Sequence, residues 1–434
     1  MITPFHATRP TLEEVARQLA VGEITALALT EQALAAIDAR EPIVRAWVTI
    51  DRDGALAAAA AADSDRANGE PRGLLDGIPF GIKDIIDVAG LPTSGGSVVP
   101  VVARAERDAP IIALLRDAGA IILGKTVSTP YAWIDPPPTT NPWNEHRTPG
   151  GSSSGSAAAL AAGMCLGALG SQTGGSLMRP AAFCGVASLK PTFDALSVDG
   201  VLPLAPSLDH PGPMARCAGD LARIWRALKP SIAPTQASES PPRIGDLAQA
   251  FRQYADEDAR AALAAFTVQI QHAGAEIRAC DVPEAFANIH AEHRLIMAAE
   301  AAKYHLPRFA RHPNLYPPRI TELIREGELI PDDSYKSACE RQSELKRSFP
   351  KVFERCDALL TPAARGAAPD CSTTGDPIMN SPWSYLGLPT VCIPIARNAE
   401  GMPLAIQLVG PPNHEARLLE IAVWCEKHAQ KAMP

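Results

Sequence analysis

Two short clusters, Gly150-Gly151-Ser152-Ser153-Ser154-Gly155-Ser156 and Thr173-Gly174-Gly175-Ser176, constrain this chain more than anything else in it. Glycines beside a serine let backbone N–H groups crowd a carbonyl oxygen. The alanine-dense stretch from Ser156 to Gly163 suits a helix packed close against its neighbours. A serine nucleophile also needs a base, and histidine does not supply it. The ten histidines avoid both clusters except for His146, and none stands in a known triad order with the serines. A lysine can replace histidine where burial lowers its pKa, because it then accepts a proton at neutral pH. Lys83, in Gly81-Ile82-Lys83-Asp84, is the candidate. The pattern reads as a serine hydrolase that uses lysine.

Bulk properties narrow the surroundings of that chemistry. With 46% hydrophobic and 20% charged residues, the 434-residue chain can bury a sizeable core. A net charge of −8 argues against a nucleic-acid surface. Nine scattered cysteines, with no Cys-x-x-Cys pair, fit reduced thiols in a cytoplasm better than a disulfide framework or a zinc site. Neither a signal peptide at Met1–His6 nor a run of about 20 apolar residues is present, so no membrane partner is expected.

Residues 11–40 read as two helices, the first opened by a capping box at Thr11-Leu12-Glu13-Glu14. The run from Ala55 to Ala62 reads as a surface helix. Ile78 to Val88 reads as a strand end delivering Lys83, Ile111 to Ala118 as a helix, and Ala120 to Leu123 as a buried strand. Such alternation points to an α/β fold with a mixed, mostly parallel sheet covered on both faces. Pro230 to Pro242 reads as an exposed connection, followed by helical patterns at 256–273 and 290–305.

Several signals do not hold up. Gly119-Ala120-Ile121-Ile122-Leu123-Gly124-Lys125-Thr126 fits the phosphate-loop pattern, but its middle residues are themselves the strand. Gly151-Ser152-Ser153-Ser154-Gly155 fits the nucleophile-elbow pattern, yet no Asp-then-His pair follows Ser153. His290 and His293 lack a carboxylate in ligand spacing and read as helix-surface residues. Cys184, beside Ala181, Ala182 and Phe183, reads as structural. No metal site and no cofactor are expected.

The run from Thr148 to Phe193 resembles the amidase signature family, and Leu75 to Asp84, Ser207 to Arg216 and Gly401 to Gly410 are similar to further segments of it. The resemblance covers roughly residues 10–425 and is weakest from about 230 to 350. It implies one amidase domain over residues 1–434, an α/β/α sandwich, with 230–350 a variable, largely helical region that shapes the substrate pocket. Residue by residue, it implies that Ser176 is the nucleophile, Ser152 a bridging serine after a cis bond from Gly151, and Lys83 the base. It assigns the oxyanion hole to the main-chain amides of Thr173, Gly174, Gly175 and Ser176. The implied partner is a small amide, with a homodimer left open. The alternative within the family is the A-type subunit of a glutamyl-tRNA amidotransferase.

This chain departs from the commonest family pattern, Asp-x-Gly-Gly-Ser-x-Arg-x-Pro. It reads Gln172-Thr173-Gly174-Gly175-Ser176-Leu177-Met178-Arg179-Pro180, so the aspartate is lost and the arginine comes one residue later. One residue turns a helical side chain by about 100°. The shifted pattern is similar to the malonamidase-like branch, which implies that Arg179 binds a substrate carboxylate, with Gln172 beside it at the substrate site; the alternative is that Arg179 pairs with a protein carboxylate nearby.

Overall fold

Eleven strands form one sheet: β1 (Trp47–Ile50), β2 (Pro79–Lys83), β3 (Ile121–Thr126), β4 (Gly167–Gln172), β5 (Ala187–Lys190), β6 (His210–Ala215), β7 (Arg243–Asp246), β8 (Glu276–Ala279), β9 (Ala358–Pro362), β10 (Thr390–Arg397) and β11 (Pro403–Val409). Their spatial order is β1-β3-β2-β4-β6-β5-β10-β11-β9-β7-β8. This computed structural model describes residues 10–229 and 240–429. Met1–His6 and most of the Pro/Ser-rich connection lie outside the described residues.

The sheet is mixed and lies in an α/β fold, but its balance differs from the mostly parallel sheet expected. Parallel pairing holds β3-β2-β4 together at one end and β9-β7-β8 at the other. Everything between them, from β4 through β6, β5, β10 and β11 to β9, is antiparallel. The reason is local. β10 and β11 are joined by the short turn around Gly401, which permits only an antiparallel pair, and no helix intervenes between β5 and β6. Strands β2 to β6 are buried along their whole length, as a sheet covered on both faces requires.

The helices follow the sequence pattern. The Thr11 capping box forms and opens the helix Leu12–Ala20, and Ala26–Val44 follows it. The alanine-rich helix Arg52–Ala67 buries Ala55, Ala59 and Ala62 on one face. The helix Ser154–Ala161 is buried all round, and Gly155 shows why small residues are required there. A Cβ on Gly155 would lie 2.2 Å from the Ala46 carbonyl oxygen and 2.3 Å from the Val127 nitrogen. The weakly matched region carries Glu257–His272, Ile289–Arg311, Pro318–Glu328 and Asp332–Ser348, and also contributes β7 and β8 to the sheet.

Candidate functional site

The parallel strands β2 and β4 pair directly, so their C-terminal ends open at the same edge of the sheet. β2 ends at Lys83, and β4 runs through Ser171 and Gln172 into the second cluster. β6 runs the other way, with His210 opposite Gln172, so Asp209 arrives at that edge too. Register therefore gathers a lysine, a carboxylate and the second serine cluster at one edge.

Lys83 is wholly buried and its Nζ lies 2.7 Å from Ser152 Oγ and 2.8 Å from Ser171 Oγ. Burial pulls its pKa down to about 7, with the charge of Asp209 opposing the shift. Two other buried lysines differ in company. Lys125 is 3.2 Å from the Asp84 carboxylate, and Lys190 donates to the carbonyls of Pro191 and Leu388. Among these three, Lys83 is the one held by serine hydroxyls.

The peptide bond between Gly151 and Ser152 is cis. Gly150 before it has φ +81°, and a Cβ there would lie 2.8 Å from Pro180 Cα, so glycine is required on both counts. The two clusters are tied together: Ser153 N donates to the Ser176 carbonyl at 3.3 Å, and Ser153 Oγ donates to the Ser171 carbonyl at 3.1 Å. The Ser153 hydroxyl, also an acceptor for Ser171 N at 3.2 Å, is thus occupied by backbone and buried, which removes the elbow-nucleophile pattern. The Gly119–Thr126 pattern is likewise explained, since Ile121–Thr126 is β3 itself. Cys184 is buried, with its thiol pKa pushed up by that burial.

Ser176 lines a cavity of about 170 Å³ together with Thr173, Gly174, Gly175 and Arg179. Trp133, Leu204, Met297 and Ile378 supply apolar wall, and His290, His293 and Arg294 supply polar wall. The Thr173-to-Ser176 loop is fastened at three points. Thr173 Oγ1 donates to Asp209, the Thr173 carbonyl lies 2.9 Å from His293 Nε2, and the Gly174 carbonyl accepts from Ser384 Oγ at 3.5 Å. Among the described residues, no protein acceptor takes the main-chain N–H of Gly174, Gly175 or Ser176. Asp209 also accepts from the amides of Leu204 and Ala205, and burial still pushes its pKa up to about 7.

Arg179 and Gln172 part company. Gln172 is fully buried and its amide is occupied at both ends. Its Oε1 accepts from Leu177 N and Met178 N at 3.0 and 3.1 Å, and its Nε2 donates to Ser384 Oγ at 3.2 Å. It caps the helix Met178–Cys184 from outside the cavity, which corrects the expectation that it contacts substrate. Arg179 does face the cavity while being almost wholly buried. Its guanidinium donates to the Thr374 carbonyl at 3.1 Å and to the Gly151 carbonyl at 2.9 Å. Among the described residues no carboxylate forms an ion pair with it; Asp376, on the same cavity wall, pairs with Arg365 instead. Burial pulls the Arg179 pKa down to about 10, against the more distant charge of Asp376.

Sequence reasoning missed Ser171, Asp209 and His293 in this site. It also placed His290 and His293 on a helix surface, which the structure overturns: His293 is buried and both line the cavity. The signal was present in the helical phase, because Ile289, His293, Ile296, Met297 and Glu300 share one face.

The Amidase family profile matches residues 28–419, most of the chain. The chain belongs to the amidase family. AmiD of Mycobacterium tuberculosis is 33% identical over 429 residues, covering 92% of this amidase and 90% of its own length. The A-type subunit of the glutamyl-tRNA(Gln) amidotransferase of Chloroflexus aggregans is also 33% identical, covering 93% of each. Among solved structures, an amidase superposes with a TM-score of 0.90 at 30% identity, over 97% of this chain and all of its own. The peptide amidase of Stenotrophomonas maltophilia does so with a TM-score of 0.84 at 26% identity, over 98% of each. This amidase is accordingly an enzyme that hydrolyses carbon–nitrogen bonds.

Proposed function

We propose that the enzyme cleaves a small, carboxylate-bearing amide through a Ser176–Ser152–Lys83 relay and an acyl-enzyme. The observation that carries this reading is the 2.7 Å contact between Lys83 Nζ and Ser152 Oγ in a buried site where the lysine pKa falls to about 7. Neutral Lys83 takes the Ser152 proton, Ser152 takes the Ser176 proton, and Ser176 Oγ attacks the amide carbon. The N–H groups of the Thr173-to-Ser176 loop, which have no protein acceptor at Gly174, Gly175 and Ser176, receive the developing oxyanion. The carbon–nitrogen bond then breaks, the proton held by Ser152 passes to the leaving nitrogen, Lys83 returns its own proton to Ser152, and ammonia or an amine departs. Water admitted in its place hydrolyses the ester on Ser176. The chemistry uses no cofactor or metal.

Cavity size and Arg179 support the choice of substrate. A cavity of about 150 Å³ takes a ligand of benzene's size, so about 170 Å³ accommodates a short amide. A buried guanidinium without a carboxylate of its own is matched to one carried by substrate. The test is Arg179→Ala assayed on a carboxylated amide and on a neutral amide of equal size. A lost charge-assisted hydrogen bond of ~1.5–3 kcal/mol raises the Michaelis constant for the carboxylated amide roughly 10–150-fold more than for the neutral one. Arg179→Lys recovers part of the loss, since an ammonium lacks the planar fork. Equal losses on both substrates would remove the carboxylate from the proposal.

A second reading is favoured by the amidotransferase relatives: a component that releases ammonia to partner proteins. Turnover of a free amide by the purified chain alone opposes it, and dependence on added partner proteins supports it. The nine cysteines, none of them in a disulfide, suit work in the cytoplasm. Among the described residues no helix is long and apolar enough to cross a membrane.

A further inference from the structure

His293 comes from the helix Ile289–Arg311, in the weakly matched part of the chain, yet its ring reaches the Thr173-to-Ser176 loop. Its Nε2 is 2.9 Å from the Thr173 carbonyl oxygen. A carbonyl oxygen only accepts, so Nε2 carries the proton and the ring is the Nε2–H tautomer. The ring also packs over the next residue: a Cβ on Gly174 would lie 3.6 Å from His293 Cε1. The Thr173 carbonyl and the Gly174 N–H belong to one planar trans peptide and point in opposite directions. Whatever fixes that carbonyl also fixes that N–H. Two further ties act on the same loop, Asp209 on the Thr173 hydroxyl and Ser384 on the Gly174 carbonyl, but neither touches the Thr173–Gly174 peptide plane through its oxygen.

We infer that His293 is a positioning residue, which aims the Gly174 N–H at the substrate's carbonyl oxygen by holding the Thr173 carbonyl from the opposite side. The inference rests on the reading of this loop as the oxyanion hole. Burial keeps the imidazole neutral, with its pKa pulled down to about 4, so the single donor at Nε2 persists across the working range. A hole built from glycine peptides is only as effective as its rigidity, because an N–H that must rotate into place during reaction loses the benefit of preorganisation. Here the glycines remove side chains that would otherwise hold the loop, and a side chain from a distant helix takes over that task.

The experiment compares His293→Leu, which cannot donate, with His293→Gln, whose amide nitrogen can reach the same carbonyl. The readout is the rate of labelling by a fluorophosphonate, in which the serine oxygen displaces fluoride from phosphorus and the phosphoryl oxygen occupies the hole. Saturation kinetics separate the limiting rate from probe affinity. His293→Leu is expected to lower the limiting rate about 10- to 100-fold, short of the ~10²–10³ that removing a hole donor outright costs. Probe affinity should change less than about threefold, and His293→Gln should recover most of the limiting rate. If the leucine variant does not fold, His293→Met, also without a donor, supplies the same comparison. A limiting rate within twofold of wild type in the non-donating variant, a loss confined to affinity, or a glutamine variant no better than leucine each overturns the assignment. Ser176→Ala is run in parallel: labelling that persists there overturns the nucleophile itself, whereas labelling abolished there with His293→Leu unimpaired overturns only the role of His293.

Discussion

Replacing Lys83 with methionine should inactivate the enzyme and, at the same time, reverse sign as a stability change between pH 8 and pH 10. The folded protein holds Lys83 at about 7 against 10.5 when unfolded. Between those values the unfolded state binds a proton that the folded state does not. Wild-type stability therefore rises with pH across this window, and the full cost of burying the lysine is felt below it. Integration gives a cost of about 3 kcal/mol at pH 8 and under ~1 kcal/mol at pH 10. Methionine fills similar space without the cost, but it gives up the bonds to Ser152 and Ser171. These are worth ~1 kcal/mol each. The variant should then be more stable than wild type by roughly 1 kcal/mol at pH 8 and less stable by about the same at pH 10. This range lies above the value of about 7 to which burial raises Asp209, so that carboxyl is already ionised. Urea unfolding of both proteins at pH 8, 9 and 10 measures the difference directly. Turnover should fall ~10²–10⁴-fold, the usual cost of losing a proton-transfer group. A stability gap that stays constant from pH 8 to 10 would show that Lys83 is protonated in the fold, and the relay would have no base.

The pH profile of kcat/KM should rise as Lys83 loses its proton, flattening above about 7; a profile flat from pH 6 to 8 contradicts this. Gly175→Ala places a Cβ 2.7 Å from Asn380 Oδ1 and 2.9 Å from Arg179 Nη1, so those side chains must move. Overpacking of this kind costs ~1–3 kcal/mol, and unfolding of that variant indistinguishable from wild type would show that the site yields freely.

Much of the fold was legible because its signals are local. The Thr11 box, the alanine-dense helix after Ser153 and the apolar run of β3 each follow from neighbours in the chain. Strand direction was not, because pairing β4 with β6 and β5 with β10 depends on where distant segments meet. Lys83 and the two serine clusters could be named from sequence, and the structure brings Lys83 to Ser152 and lines the cavity with Ser176. Gln172 could not be judged from its place in the motif, since its amide is taken up by residues 177, 178 and 384. His293 escaped although its signal was there: its polar character suggested solvent, while its helical phase, shared with Ile289, Ile296 and Met297, pointed inward.

The reach of the Ile289–Arg311 helix to the Thr173-to-Ser176 loop bears on how this scaffold can diversify. Such a segment is the natural target for exchange between homologues when a new substrate is sought, because His290, Arg294 and Met297 on it line the cavity. The same turn of helix holds the Thr173 carbonyl. A transplanted segment would import selectivity and turnover as one inheritance, and chimaeras that keep histidine at position 293 should populate the active fraction of any such library.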